Sequence, residues 1–292
     1  MDKTKIKPAL LMILATFLFG SSFVAVKQIG DTLSPIMISG IKMTIGGISI
    51  AIIFAKRLKN TNKKLLIHSA IMGALYAAGL VMQSYGIIYT NAGRGAFLTS
   101  AYCIFMPFLE WVILKNKPKL AALLSALTCF IGIGLVALTE SFTIDGGDLF
   151  TLGSSVAFGF WIVLLSIFVK EDDGALLNVY MLTFGGVILL AISFIFEPLP
   201  TAIGTEIILP MFYLAVLCSG IPLVLQAIAQ KELSPTVTTV ILGFEAIFAT
   251  VCSTIILGET FSLRCIIGFA LIFLSVFVSL IKMPERKKKI TE

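Results

Sequence analysis

Met43-Thr44-Ile45-Gly46-Gly47-Ile48 returns as Leu182-Thr183-Phe184-Gly185-Gly186-Val187, 139 residues further along the chain. The match extends outward from this pair. Phe19-Gly20 falls over Phe158-Gly159 at the same spacing. Beyond it the spacing widens to 143, which places Gln83 over Gln226 and Tyr102 over Glu245. Four consecutive apolar stretches of the first half therefore align with four of the second. A single four-residue shift in the loop before the eighth stretch reconciles them.

Those stretches are part of a larger set. The 292 residues are 58% hydrophobic and 13% charged, with a mean hydropathy of +1.03. Soluble domains have roughly 45–50% apolar and about 25% charged residues. A spanning helix needs about 20 apolar residues, and ten such segments fit: 8–29, 34–55, 66–88, 93–114, 119–138, 147–168, 176–196, 208–230, 235–257 and 262–282. No room is left for a sizeable extramembrane domain. Residues 1–140 hold the first five segments, and residues 141–292 hold the other five with a basic tail. Five is odd, so the two copies enter the membrane from opposite sides. The expected fold is an all-α polytopic membrane protein, ten transmembrane helices as two inverted five-helix repeats. That architecture is common among secondary transporters with a site near the bilayer midplane. Pro35 and Pro235 fall at helix starts, where a missing N–H costs little. Pro107 and Pro222 fall inside segments and predict kinks.

Charge sets the orientation. With the N-terminus inside, all but four of the 22 basic residues lie in inner segments: Lys3 to Lys7, Lys56 to Lys64, Lys115 to Lys119, Lys170, Lys231 and the tail from Lys282. The four exceptions are Lys27, Lys42, Arg94 and Arg264. Outer loops carry Asp31, Asp145, Asp148, Glu197 and Glu206 instead. The chain is expected in the cell membrane with both termini cytoplasmic. Its net charge of +6 is divided among separate loops, so no nucleic-acid partner is expected. The run from Lys3 through Ile29 is read as a retained first span rather than a signal peptide. The five cysteines stand singly in apolar stretches, giving neither a metal pattern nor a disulfide framework. His68, beside a basic loop, is read as structural or interfacial.

Phe19-Gly20-Ser21-Ser22-Phe23 resembles the Trp-Gly-Ser/Thr-x-Phe signature in the first helix of the drug/metabolite transporter superfamily, EamA-type. Asn91 to Thr99 looks like the start of that family's fourth helix. Ser234-Pro235, Glu245 and Leu257-Gly258-Glu259 look like its ninth-helix signature. The resemblance covers nearly the whole chain. Departures are Phe19 for Trp, Lys42 for a frequent Arg, Ala246 for Pro, and Lys115-Asn116-Lys117-Pro118 where a first Leu-Gly-Glu would stand. The resemblance implies ten helices around a central cavity and movement of metabolites such as amino acids.

The site residues expected from position and symmetry are Ser22, Phe23, Gln83, Tyr102, Trp161, Gln226 and Glu245. Glu245 lies at the centre of the ninth segment, where a carboxylate costs at least roughly 2.5–3.5 kcal/mol unless hydrated, paired or protonated. It either lines the solute path, binding a cation or exchanging a proton, or makes a structural bond between helices. Tyr102 is its symmetry partner. Gln83 and Gln226 are expected on the order of 10 Å from the midplane on opposite sides, one near each cavity mouth or else in interhelical bonds. Ser22 and Phe23 follow Gly20, and Trp161 falls over Ser22 at the 139 spacing. Lys42, mid-segment, is read as the counter-ion of a carboxylate in a structural pair, with snorkelling as the alternative.

The leading function is secondary transport of a small solute, as an exporter. The alternatives are a membrane scaffold or receptor, and a membrane-embedded lipid-modifying enzyme. The enzyme would need clustered carboxylates or a His-rich surface motif. The closest acidic run, Glu171-Asp172-Asp173, reads as a solvated turn, so no catalytic or metal residues are assigned. No cofactor is expected, since there is no Gly-rich phosphate loop. The expected partners are the solute, the lipid bilayer and, at most, a second copy of the chain.

Overall fold

The computed structural model describes residues 6–89, 92–137, 146–197, 204–257 and 263–280. Lys3, Lys5, Asn91, Asp145, Gly258, Glu259 and the basic tail from Lys282 lie outside the described residues. Among those described, all regular structure is helical: α1 (Ile6–Ile29), α2 (Pro35–Ile53), α3 (Lys63–Tyr89), α4 (Ala92–Thr99), α5 (Tyr102–Leu114), α6 (Leu120–Ala137), α7 (Gly146–Phe168), α8 (Gly174–Phe196), α9 (Thr205–Phe212), α10 (Ile221–Ala229), α11 (Pro235–Leu242), α12 (Phe244–Leu257) and α13 (Leu263–Leu280). A 3₁₀ segment, Ala55–Asn60, precedes α3, and a π-helical segment, Tyr213–Gly220, joins α9 to α10.

Among the described residues, seven continuous stretches are long and apolar enough to cross a membrane: α1, α2, α3, α7, α8, Thr205–Ala229 and Pro235–Ile256. Three shorter apolar helices, Tyr102–Leu114, Leu120–Leu135 and Ile266–Ser279, stand where segments four, five and ten are expected. Outward faces carry exposed Ile52, Phe196, Leu209 and Ile255. Water would reject such a surface, and a hydrocarbon phase accepts it.

The two Thr-x-Gly-Gly copies explain how the halves join. They face each other where α2 packs along α8. A Cβ on Gly47 would come within 2.9 Å of the Thr183 amide nitrogen, and one on Gly186 within 2.5 Å of the Thr44 nitrogen. Each copy's threonine thus covers the other copy's glycine. Such reciprocity is what a two-fold relation between repeats requires, and the missing Cβ atoms let the backbones touch.

Helix starts follow the sequence. Ser34 and Ser234 cap α2 and α11, their hydroxyls accepting from Met37 N at 3.1 Å and Val237 N at 3.4 Å, with Pro35 and Pro235 next. Pro222 has no N–H for the Cys218 carbonyl, and the helix widens to a π turn just before it. Pro107, by contrast, sits inside a continuous α5. The break in segment four falls earlier, at Ser100-Ala101, and a second break falls at Gly243 in segment nine. Both segments read as continuous in the sequence. Ser100 and Gly243 are 143 residues apart, so the two breaks are equivalents.

The turn Glu171-Asp172-Asp173 differs from the solvated reading. Each acid meets a base at the start of α3 or just before it: Asp173 with Arg57 at 3.1 Å, Glu171 with Lys64 at 2.6 Å, and Asp172 with His68 at 2.6 Å. His68 also stacks on Phe168 at 3.9 Å between centroids. The two exposed pairs are screened by solvent and contribute little. The largely buried His68–Asp172 pair is the firmer link between α3 and the end of α7. Glu110, the other acid near a segment interior, caps α11 by accepting from Thr236 N at 3.1 Å and Thr236 Oγ1 at 2.6 Å.

Candidate functional site

The two breaks aim side chains inward. Tyr102 opens α5 just after Ser100-Ala101, and Glu245 opens α12 just after Gly243. The Tyr102 hydroxyl donates to Glu245 Oε2 at 3.5 Å, a long bond joining equivalent positions of the two repeats. Tyr102 is 2% exposed and Glu245 is 6% exposed.

Both border a cavity of about 50 Å³, lined also by Phe19, Ser22, Lys42, Tyr76, Leu80, Gln83, Thr99, Phe158, Trp161, Ile162, Gln226 and Leu242. Five pairs in this wall are symmetry equivalents: Phe19 with Phe158, Ser22 with Trp161, Gln83 with Gln226, Thr99 with Leu242, and Tyr102 with Glu245. At roughly 10–15 Å³ per water by this kind of measure, the space holds only a few waters.

Of the seven residues expected at the site, the fold brings six to this wall: Ser22, Gln83, Tyr102, Trp161, Gln226 and Glu245. Phe23 is not among the lining residues. One residue turns an α-helix by about 100°, so with Ser22 facing the cavity Phe23 turns into the core, where it is 1% exposed and borders Gly95. The glutamines, expected one near each mouth of the cavity or else in interhelical bonds, both line it. Gln83 Nε2 donates to Thr99 Oγ1 at 3.4 Å, and Gln226 Nε2 donates to Gln230 Oε1 at 3.0 Å. Gln230 in turn donates to the Ile162 carbonyl at 3.1 Å, tying α10 to α7.

Lys42 is the residue the sequence reading misplaced. It is 5% exposed, lines the cavity, and makes no ion pair within 4 Å among the described residues. An unpaired buried ammonium is costly. Attraction to Glu245 across the cavity offsets part of that cost. Tyr76 was also missed. Its ring lies 4.9 Å from that of Trp161 and 5.6 Å from that of Phe158, forming an aromatic wall. Trp161 Nε1 donates to Met181 Sδ at 3.0 Å. Met181 is the equivalent of Lys42, so one repeat offers a cation where the other offers a thioether. Phe19 and Phe158 could have been found, because both head the repeated Phe-Gly pair.

The arrangement is a small, buried space with one cation, one anion, two carboxamides and five aromatic side chains. It offers charged, hydrogen-bonding and aromatic contacts within one buried space.

Comparison with known proteins agrees. Residues 6–138 and 145–281 each match the EamA-like transporter family. The chain is 25% identical over 290 residues to the uncharacterized transporter YoaV of Bacillus subtilis (strain 168), covering 97% of this chain and 99% of that one. It is 26% identical over 265 residues to an uncharacterized transporter of Archaeoglobus fulgidus, covering 91% and 83%. A solved crystal structure shares its fold with a TM-score of 0.77 at 16% identity, over 94% of this chain and 96% of the other. With a two-repeat helical membrane fold and matches that span nearly its whole length, the chain belongs to the EamA-like transporter family and is a multi-pass membrane transporter.

Proposed function

We propose that this transporter is a secondary exporter of the cell membrane, moving small organic metabolites, amino acids or related compounds, by alternating access around the cavity. The proposal includes ten spanning segments in two units, residues 1–140 and 141–292, with both termini cytoplasmic. One observation supports it above the rest: the wall shared by both repeats presents one buried ammonium, Lys42, and one buried carboxylate, Glu245. A solute bearing both an anionic and a cationic group satisfies each charge at once. Gln83, Gln226, Ser22 and Tyr102 supply hydrogen bonds, Trp161 supplies an aromatic face, and Phe23 keeps α1 in place behind them. Glu245 is the proposed proton-coupling group.

A cavity of about 50 Å³ must widen to pass such a solute. Two sets of helices support such a motion: α1 packs mainly against α10 and α12, and α7 mainly against α3, while α4 touches both α7 and α12. Rocking one group against the other opens the space between them. Purified protein in proteoliposomes should exchange at least one zwitterionic amino acid saturably, and faster with a pH gradient. Exchange of only singly charged solutes would overturn the charge reading, and no exchange of any solute would favour a scaffold.

A further inference from the structure

A second, larger cavity of about 470 Å³ opens at the end of the molecule where α5 meets α6. It lies within the range of small-molecule sites, about 300–1,000 Å³. Its rim is the α5–α6 loop, with Lys115, Lys117 and Lys119 around Asn116 and Pro118. Ser125 of α6, Ser234 and Thr236 at the start of α11, and Ser279 of α13 complete the lining. The one carboxylate in the wall, Glu110, is occupied by its two bonds to Thr236. Lys115 and Lys117 form no ion pair among the described residues. Lys115 also holds a left-handed backbone, φ 59°, which turns the chain sharply out of α5. Glycine is the usual residue at such a turn, and here a lysine stands there.

The flanks are apolar. Phe108, Trp111 and Val112 on α5 and Leu120 and Leu124 on α6 are exposed on either side of this loop. Trp111 is of the residue type that settles at the membrane interface. A phosphate-bearing head group in the cavity would therefore have its acyl chains beside exposed apolar side chains of α5 and α6. We propose that this cavity is a binding site for the head group of an anionic phospholipid. Basic pockets between helices favour such head groups by charge and by hydrogen bonds to the phosphate oxygens. The occupant is committed as a lipid because the cations and the apolar flanks adjoin. Free inorganic phosphate shares the head-group chemistry but would not use the flanks.

Native mass spectrometry of the full chain, purified with a mixture of phosphatidylglycerol and phosphatidylcholine, tests this. Phosphatidylglycerol should be retained preferentially. A Lys115→Gln/Lys117→Gln/Lys119→Gln variant should lose that retention at least about fivefold, whereas Lys56→Gln/Lys59→Gln at the other basic loop should not. The Lys115→Arg/Lys117→Arg/Lys119→Arg variant should keep it. Equal loss in both Gln variants, no preference between the lipids, or full displacement by millimolar inorganic phosphate would overturn the proposal. Should the triple Gln variant not fold, a photo-crosslinkable phosphatidylglycerol on the unaltered protein decides. Crosslinks within residues 107–125 support the site, and crosslinks confined elsewhere overturn it.

Discussion

Gly20 on α1 and Gly159 on α7 occupy the same place in the two repeats, yet they meet different neighbours. A Cβ on Gly20 would lie 2.8 Å from the Glu245 carbonyl oxygen and 3.1 Å from the Ala249 nitrogen, which are backbone atoms of α12. A Cβ on Gly159 would meet the outer ring atoms of Phe105 at 2.7 Å, with no α5 backbone among its nearest atoms. Phe105 is itself the equivalent of Phe248, whose Cβ sits 2.7 Å from the Gly20 position. One seam is backbone on backbone and the other is cushioned by a ring. The helix that carries Glu245 thus packs on α1 backbone to backbone, while the helix that carries Tyr102 meets α7 through side chains. The shared frame is the glycine, and the divergence is in what it is pressed against. The cavity follows the same rule, with Ser22 opposite in size to Trp161 and Lys42 opposite in polarity to Met181.

The comparison can be broken most forcefully at Glu245. Glu245→Gln keeps the shape and removes the exchangeable charge. Accumulation driven by a pH gradient in proteoliposomes should vanish and the KM for a zwitterionic solute should rise about tenfold, while downhill exchange at saturating solute stays within about twofold. Unchanged pH dependence in a correctly inserted variant would refute the coupling role. Next comes Lys42→Gln. Loss of a desolvated charge contact should raise the KM for a zwitterionic solute about tenfold, equivalent to about 1.4 kcal/mol. Because the lysine lacks an ion pair, thermal stability should hold or rise. A lowered Tm with normal KM would make Lys42 a structural counter-ion instead. The seam itself is sharpened by paired substitutions. Gly20→Ala should cost about 1–3 kcal/mol, as overpacking against backbone does, and Gly159→Ala less than about 1 kcal/mol, because the Phe105 ring can swing. Equal shifts in detergent unfolding would erase the distinction. The smallest effect is expected from Trp161→Phe, which keeps an aromatic face and loses the bond to Met181. KM should change no more than about threefold, and a larger change would show that the indole N–H reaches the solute.

Much of this was legible because membrane helices advertise themselves by length and hydropathy, and because duplication marks equivalent positions. Tyr102 and Glu245 were paired by spacing alone, and the fold brings them into contact. The helix breaks were invisible because hydropathy runs unbroken through Ser100 and Gly243. Neither position holds proline, and the obvious candidate, Pro107, is accommodated within α5. Lys42 was misread because a lone cation in a span has two ordinary explanations, pairing and snorkelling. Which applies depends on how α2 is rotated, and that is fixed by the contact of Thr44 and Gly47 with Gly186 and Thr183 of α8, which lie in the other repeat. The acidic turn was misread because its partners lie about a hundred residues away.

The reciprocal Thr–Gly contact between α2 and α8 has a further consequence. In a two-fold pair of identical, separately encoded repeats, every group in the wall would occur twice. A glutamate at the position of Glu245 would face a second glutamate, and a lysine at the position of Lys42 a second lysine, with like charges repelling in a low-dielectric space. Covalent fusion of the copies removes that constraint, since each half then mutates alone. The fused chain can hold a dipole at its centre, and a solute with unlike ends would cross it in one preferred orientation.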